Sequence, residues 1–164
     1  MFQELKDLEV YRISDELSDR FWTEVSKWGS FAKDTVGKQL IRAVDSIGAN
    51  IAESYGRYHY RERLNFLYYA RGSAYEAKFW MERARRRNLI SPQEYGELME
   101  VSDQLLLKLN AYIKSKRRQA TGAANQVTQL PGKLSTEGGN IQVQSEAGKG
   151  NTFTAFLPTK ETQS

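Results

Sequence analysis

The sequence predicts an all-α fold, an antiparallel up-down-up-down four-helix bundle with a short C-terminal β-hairpin appended, and three observations predict it. Apolar residues recur at spacings of three and four through four separate stretches before residue 118, the signature of helices with one covered face. The connections between those stretches are short, which makes sequential helices antiparallel neighbours. Beyond Gln119 the helical period stops, and apolar residues return with a period of two only around EAGKGN, a hairpin pattern.

The first helix is expected from about Leu5 to Trp28, where Leu17, Phe21, Val25 and Trp28 follow an earlier Leu8 and Tyr11. Gly29 to Asp34 breaks that pattern, and Asp34 is placed to cap a second helix over about Thr35 to Tyr55, with Gly56 as a left-handed stop. In the second helix Leu40, Val44, Ile47 and Ile51 form a core stripe, and Arg42, Ser46, Asn50, Glu53 and Arg57 form a polar ridge beside it. Such a ridge reads either as i,i+4 pairs that brace the helix or as a subunit or ligand contact. The third helix, about Tyr60 to Asn88, collects Ala70, Gly72, Ser73, Ala74 and Ala77 near its middle. Glycine costs about 1 kcal/mol relative to alanine inside a helix, so Gly72 implies the close approach of a neighbouring helix. Ser91, Pro92 and Glu94 spell a capping box for the fourth helix, with Ile90 and Tyr95 as its hydrophobic staple. Leu98, Val101, Leu105, Leu109 and Tyr112 then continue as far as Lys114 to Arg118. The expected division is a bundle over 1–118, a flexible linker over 119–138, a hairpin tail over 139–158 and a disordered terminus over 159–164. A lone hairpin is marginal in water, so the tail either docks, pairs with another chain or stays mobile.

Composition narrows the chemistry. Zero cysteines exclude disulfides, thiolate metal sites and cysteine nucleophiles. The single histidine, His59, lies at a helix junction in YGRYHYRER and reads as an exposed or capping residue rather than a catalytic base. No run of about 18 apolar residues and no signal-peptide pattern are present, so a cytoplasmic, non-membrane protein is expected. Neither an enzyme nor a cofactor or metal is expected.

Charge is uneven. Residues 57–87 hold nine Lys or Arg against three Glu, a net +6, whereas the rest of the bundle is slightly acidic. A phosphate-facing surface has this distribution, and so does a basic solvated face. On the first reading, Arg61, Arg63, Arg71, Lys78, Arg83, Arg85, Arg86 and Arg87 are the candidate nucleic-acid contacts. The cluster Arg83 to Arg87 also complements the helix dipole, so part of its role is structural. Tyr58, Tyr60, Tyr68 and Tyr69 are candidates for stacking on unpaired bases or for the core.

FQELKDLEVYR, QLIRAVDSIGANIAESYGR and FLYYARGSAYEAKFWMERARRRNLI together resemble a family of four-helix proteins encoded in intervening sequences of 23S ribosomal RNA genes. That family includes the accessory variability determinants of diversity-generating retroelements. Ser54 departs from it, standing where the family usually has Gly. The resemblance implies a homo-oligomer, with five subunits in a ring, and basic surfaces that bind a reverse transcriptase and RNA or DNA. GGNIQVQSEAGKGNTFTAFLP is similar to the last hairpin of histidine-kinase ATP-binding domains, but without the helix and loop that hold nucleotide there. Gly148, Lys149 and Gly150 read as a tight turn rather than a phosphate loop. The function expected is a nucleic-acid-binding accessory protein beside a reverse transcriptase. The alternatives are a protein-interaction scaffold and, more weakly, an adaptor of two-component signalling.

Overall fold

The computed structural model describes residues 4–128, 140–146 and 150–156. A single 3-10 turn, Leu5–Asp7, leads into α1 (Glu9–Val25). A short helical turn α2 (Ser30–Ala32) and a π turn (Lys33–Gly37) run without interruption into α3 (Lys38–Gly56). Then come α4 (Tyr60–Arg86) and α5 (Pro92–Thr128). Residues up to Thr121 form one compact unit and those from Gly122 a second.

Pairs of contacting residues order the helices within the first unit. Between α1 and α3, Ser18 donates to Asp45 and Gly48 lies against Ser14. Between α3 and α4, Ser54 donates to the carbonyl of Arg63. Between α4 and α5, Tyr95 donates to Glu82 and Lys78 pairs with Asp103. Lys108 with Glu9, Arg20 with Glu97 and Lys27 with Glu94 close the ring from α5 back to α1. For α1 with α3, α4 with α5 and α5 with α1, one residue number rises as the other falls, so these neighbours are antiparallel, and the three-residue connection 57–59 turns α4 back along α3.

The stripe Leu40, Val44, Ile47 and Ile51 is the wall on which the core is built, each residue being at most 1% exposed. Leu17 and Phe21 meet it from α1, Leu67 and Met81 from α4, and Leu105 and Leu109 from α5. Each such side chain contributes about 1.5–3 kcal/mol by leaving water. Ala70, Ala74, Ala77 and Ala84 turn the same way. They turn the small-residue face of α4 into the chain's own core.

Three local expectations change. Gly72 is exposed and a Cβ there would meet nothing within 4 Å, so no helix approaches it. Gly37 makes the close approach instead, since a Cβ would sit 2.7 Å from Val25 Cγ1. Asp34 lies inside the π turn rather than at a helix start, because helical bonding already begins where Lys33 N–H reaches the Gly29 carbonyl at 3.0 Å. The wider turn brings Val36 and Gly37 inward, and both are buried. Gly56 is not left-handed; α3 ends at Arg57 in extended conformation. The left-handed residue is Asn88 at φ 55°, closing α4 with Leu89 N–H on the Ala84 carbonyl.

At the start of α5 the capping box forms. Glu94 N–H donates to Ser91 Oγ at 3.2 Å, and the Ser91 hydroxyl donates to the Glu94 carboxylate at 2.8 Å. The helix continues to Thr128, through the first residues of the stretch that composition marks as linker from Gln119. Ala and Gln are good helix formers, and extending an existing helix costs far less than nucleating one. The rest of that stretch, residues 129–138, and the terminus 159–164 lie outside the described residues. In the second unit, strands β1 (Asn140–Glu146) and β2 (Gly150–Phe156) pair antiparallel, Asn140 opposite Phe156 and Glu146 opposite Gly150. Gly148 and Lys149 between them also lie outside the described residues.

Among the described residues no helix is long and apolar enough to cross a membrane. Among them, too, no group of His, Asp or Glu is placed to hold a metal ion.

Candidate nucleic-acid interface

The basic residues of the 57–87 segment do not form one patch. α4 has 27 residues, and at about 1.5 Å per residue its ends are about 40 Å apart. Arg61, Arg63 and Arg71 belong to one half, Lys78 and Arg83 to Arg87 to the other.

At the first end, the antiparallel return of α5 brings its own cations alongside. Arg71, Lys114, Arg117, Tyr68, Asn110 and Ile113 line a cleft of about 380 Å³ with no carboxylate among them. The Arg71 guanidinium stands 5.2 Å from the Tyr68 ring centre, a cation–π distance. Nearby, Lys116 Nζ is 5.2 Å from the Tyr112 ring centre. Burial pushes the Tyr112 hydroxyl above its ordinary pKa, opposed by the charge of Arg63. Lys114 and Arg117 were not among the candidates read from sequence. They lie more than forty positions from Arg71 in the chain, and only the run Lys114 to Arg118 hinted at them.

Arg63 has structural work as well. Its Nε–H donates to the Arg57 carbonyl, its own carbonyl accepts from Ser54 Oγ at 2.9 Å, and its guanidinium stands 5.8 Å from the Tyr60 ring centre. Ser54 thus ties the end of α3 to the first turns of α4, a bond that a glycine in its place would lack. Tyr58, Tyr60 and Tyr69 are exposed and Tyr68 is half-buried. His59, also exposed, precedes α4 without capping it through its side chain, and its ring meets Tyr58 edge-on at 5.3 Å.

The second end is tied down. Glu82 accepts from Arg85 Nε at 3.0 Å, from Arg86 Nε at 2.7 Å and from the Tyr95 hydroxyl at 2.9 Å. The two guanidinium groups, with Tyr95, hold the Glu82 carboxyl at a pKa of about 2. Arg85 also stands 5.2 Å from the Tyr95 ring centre and Arg83 4.9 Å from that of Phe79. Lys78 is engaged with Asp103. Of the candidates at this end, Arg87 is exposed and carries no ion pair among the described residues.

Along the polar ridge of α3, bonds run within the helix. Ser46 Oγ donates to the Arg42 carbonyl and Asn50 Nδ2 to the Ser46 carbonyl, each at 2.7 Å. Glu53 pairs with Arg57, whose guanidinium stands 4.9 Å from the Phe66 ring centre. Both Arg42 and Glu53 keep exposed side chains. Between α1 and α5 lies a charged groove of about 590 Å³, but Arg20–Glu97 and Lys27–Glu94 cross it and neutralise much of its charge.

The model of the 23S rRNA-intervening sequence protein family matches residues 6–111 of this chain. The chain belongs to that family. The chain is also similar to a crystallised protein of unknown function from the S23 ribosomal protein family of Bacteroides thetaiotaomicron VPI-5482. The two share 26% identity over 64% of this chain and 95% of the other, with a TM-score of 0.58. No curated relative matches the chain. The family match takes in Arg61 through Arg87 and stops short of Lys114 and Arg117. Half of the cleft at the first end of α4 therefore comes from residues beyond the matched span of this intervening-sequence family member.

Proposed function

We propose that this protein is a non-enzymatic, homo-oligomeric accessory factor that binds nucleic acid at the cleft between the first half of α4 and the middle of α5. The observation that carries the reading is the convergence of Arg71, Lys114 and Arg117 around Tyr68 with no acidic residue in the lining. Phosphates meet the cations there, and an unpaired base has a tyrosine ring to stack on. Nothing at the site reads base edges in a duplex, so affinity depends on charge and strand accessibility more than on sequence. In this reading the partner is a retroelement reverse transcriptase with its RNA, as the sequence resemblance implies.

What supports self-association is the outer face of α4. Tyr69, Tyr75 and Phe79 are exposed on it, and Trp80 buries its Nε1 without an acceptor among the described residues. Large aromatic side chains left in water on one helix offer a contact surface. A five-membered ring follows from the resemblance alone. The same aromatic residues favour the second reading, a protein-interaction scaffold.

The deciding assay is an RNA titration at two salt concentrations on the wild type, on an Arg71→Gln, Lys114→Gln, Arg117→Gln variant, and on an Arg83→Gln, Arg85→Gln, Arg86→Gln, Arg87→Gln variant. Binding that weakens with salt and drops far more in the first variant supports the reading. Equal affinity of all three, or no binding at low salt, favours the scaffold. Light scattering that reports a monomer at micromolar concentration removes the oligomer.

A further inference from the structure

On the other flank of α1 from the charged groove lies an open groove of about 570 Å³. Trp22 and Val25 of α1, Gly37 of the π turn and Ile41 of α3 give it an apolar floor, and Lys33, Lys38 and Arg42 stand on its rim. The floor depends on Gly37, where any Cβ would press on Val25 Cγ1 and push the π turn off α1. Trp22 is 64% exposed, which leaves a large indole in water at the mouth of the groove. The rim cations are exposed, and none carries an ion pair among the described residues. Asp45 is the acid in the lining, and it is already engaged by the Ser18 hydroxyl.

We propose that this groove docks an acidic amphipathic helix of another protein. An apolar side chain of that helix seats on Trp22, Val25 and Ile41, and its carboxylates meet Lys33, Lys38 and Arg42. Lys38 and Arg42 are one helical turn apart on α3, about 6 Å, which matches carboxylates at i and i+4 on a partner helix. Trp and Arg are the residue types that dominate such contacts when they become buried. A single-stranded nucleic acid fits less well, because it needs successive ring faces for its bases and the lining has one, Trp22. The proposal does not rest on the nucleic-acid reading of the α4–α5 cleft.

The test is a titration of the full-length 15N-labelled protein followed by NMR. The probe is a synthetic helical peptide with a leucine stripe flanked by Glu at i and i+4; the controls are the same peptide with Lys for Glu, and oligouridylate. Saturable shifts of the Trp22 indole and the Lys38 and Ile41 amides with the Glu peptide alone are expected. A Lys33→Glu, Lys38→Glu, Arg42→Glu variant should bind that peptide about tenfold or more weakly while keeping its helical circular dichroism. Should that variant fail to fold, Lys38→Gln with Arg42→Gln reads the same loss of attraction without reversing charge. Equal binding of the Lys peptide, or no shifts with either peptide, overturns the proposal. Oligouridylate displacing the Glu peptide from these resonances makes the groove a nucleic-acid site and overturns it too. Trp22 shifts that change with protein concentration alone assign the groove to a second copy of the chain, with the same consequence.

Discussion

The two halves of α4 pair their cations differently and so offer different electrostatic surfaces. At the end of the helix Glu82 takes up Arg85 and Arg86, Asp103 takes up Lys78, and Arg83 lies over Phe79. In its first half Arg71 shares a cleft with Lys114 and Arg117 and no carboxylate. Counting charges along the chain ranks the Arg83 to Arg87 cluster first. Pairing in three dimensions lowers the rank of Arg85, Arg86 and Lys78, because a cation bonded to a carboxylate has part of its charge compensated before it meets a phosphate.

The largest effect that would sharpen this contrast is on RNA affinity. Each phosphate contact on a single strand contributes about 0.7 to the slope of log affinity against log salt. Replacing Arg71, Lys114 and Arg117 by Gln should therefore lower that slope by about 2, and lower affinity by about 50-fold at 0.15 M salt relative to 1 M. The fourfold replacement of Arg83, Arg85, Arg86 and Arg87 should cost several-fold less. A larger loss in the fourfold variant would break the comparison.

Stability should differ between the ends as well. Ser54→Ala removes the donor to the Arg63 carbonyl at the open end, and because Ser54 is 4% exposed water cannot replace it. A loss of about 1–3 kcal/mol is expected by chemical denaturation. At the tied end, Asn88→Ala places a Cβ-bearing residue without a helpful side chain at φ 55°. A loss of about 1 kcal/mol is expected there, and Asn88→Gly should be neutral or stabilising.

The smallest effect concerns Glu82. Its pKa in the folded protein is about 2, below the ordinary carboxylate value of 4.5, so its contribution is complete above about pH 4.5 and is lost as pH falls towards 2. Glu82 is a surface group, so the wild-type melting temperature should exceed that of Glu82→Gln only slightly at pH 7, and the two should converge near pH 2. The same substitution releases Arg85 and Arg86 and should raise RNA affinity a few-fold. Unchanged affinity would show that the end of α4 is out of reach of the RNA for reasons other than pairing.

Much of the bundle is legible in the chain because periodicity and capping are local. Leu40, Val44, Ile47 and Ile51 are the most buried stripe, as their spacing implies, and Ser91 with Glu94 closes the start of α5. Gly72 and Gly37 show where legibility stops. A helix pattern says that a glycine is unusual, and does not say whether its Cα faces a neighbour; Gly72 faces solvent, and Gly37, in a turn that carries no periodicity, meets Val25. The small residues Ala70, Ala74 and Ala77 pack inside the bundle for the same reason. Their size is visible in sequence, and the helix they face is not.

The sequence by itself determined the four helices, the core stripe of α3, the cap of α5, the excess of positive charge on residues 57–87 and the exclusion of cysteine chemistry. Each depends on residue type and on spacings within one element. Only the tertiary structure decided that this charge is split between two halves of α4, that in one half Glu82 and Asp103 pair with Arg85, Arg86 and Lys78, and that the other is joined by Lys114 and Arg117. Coulomb interactions and hydrogen bonds depend on distance in space, and an antiparallel bundle brings together residues that the chain keeps tens of positions apart.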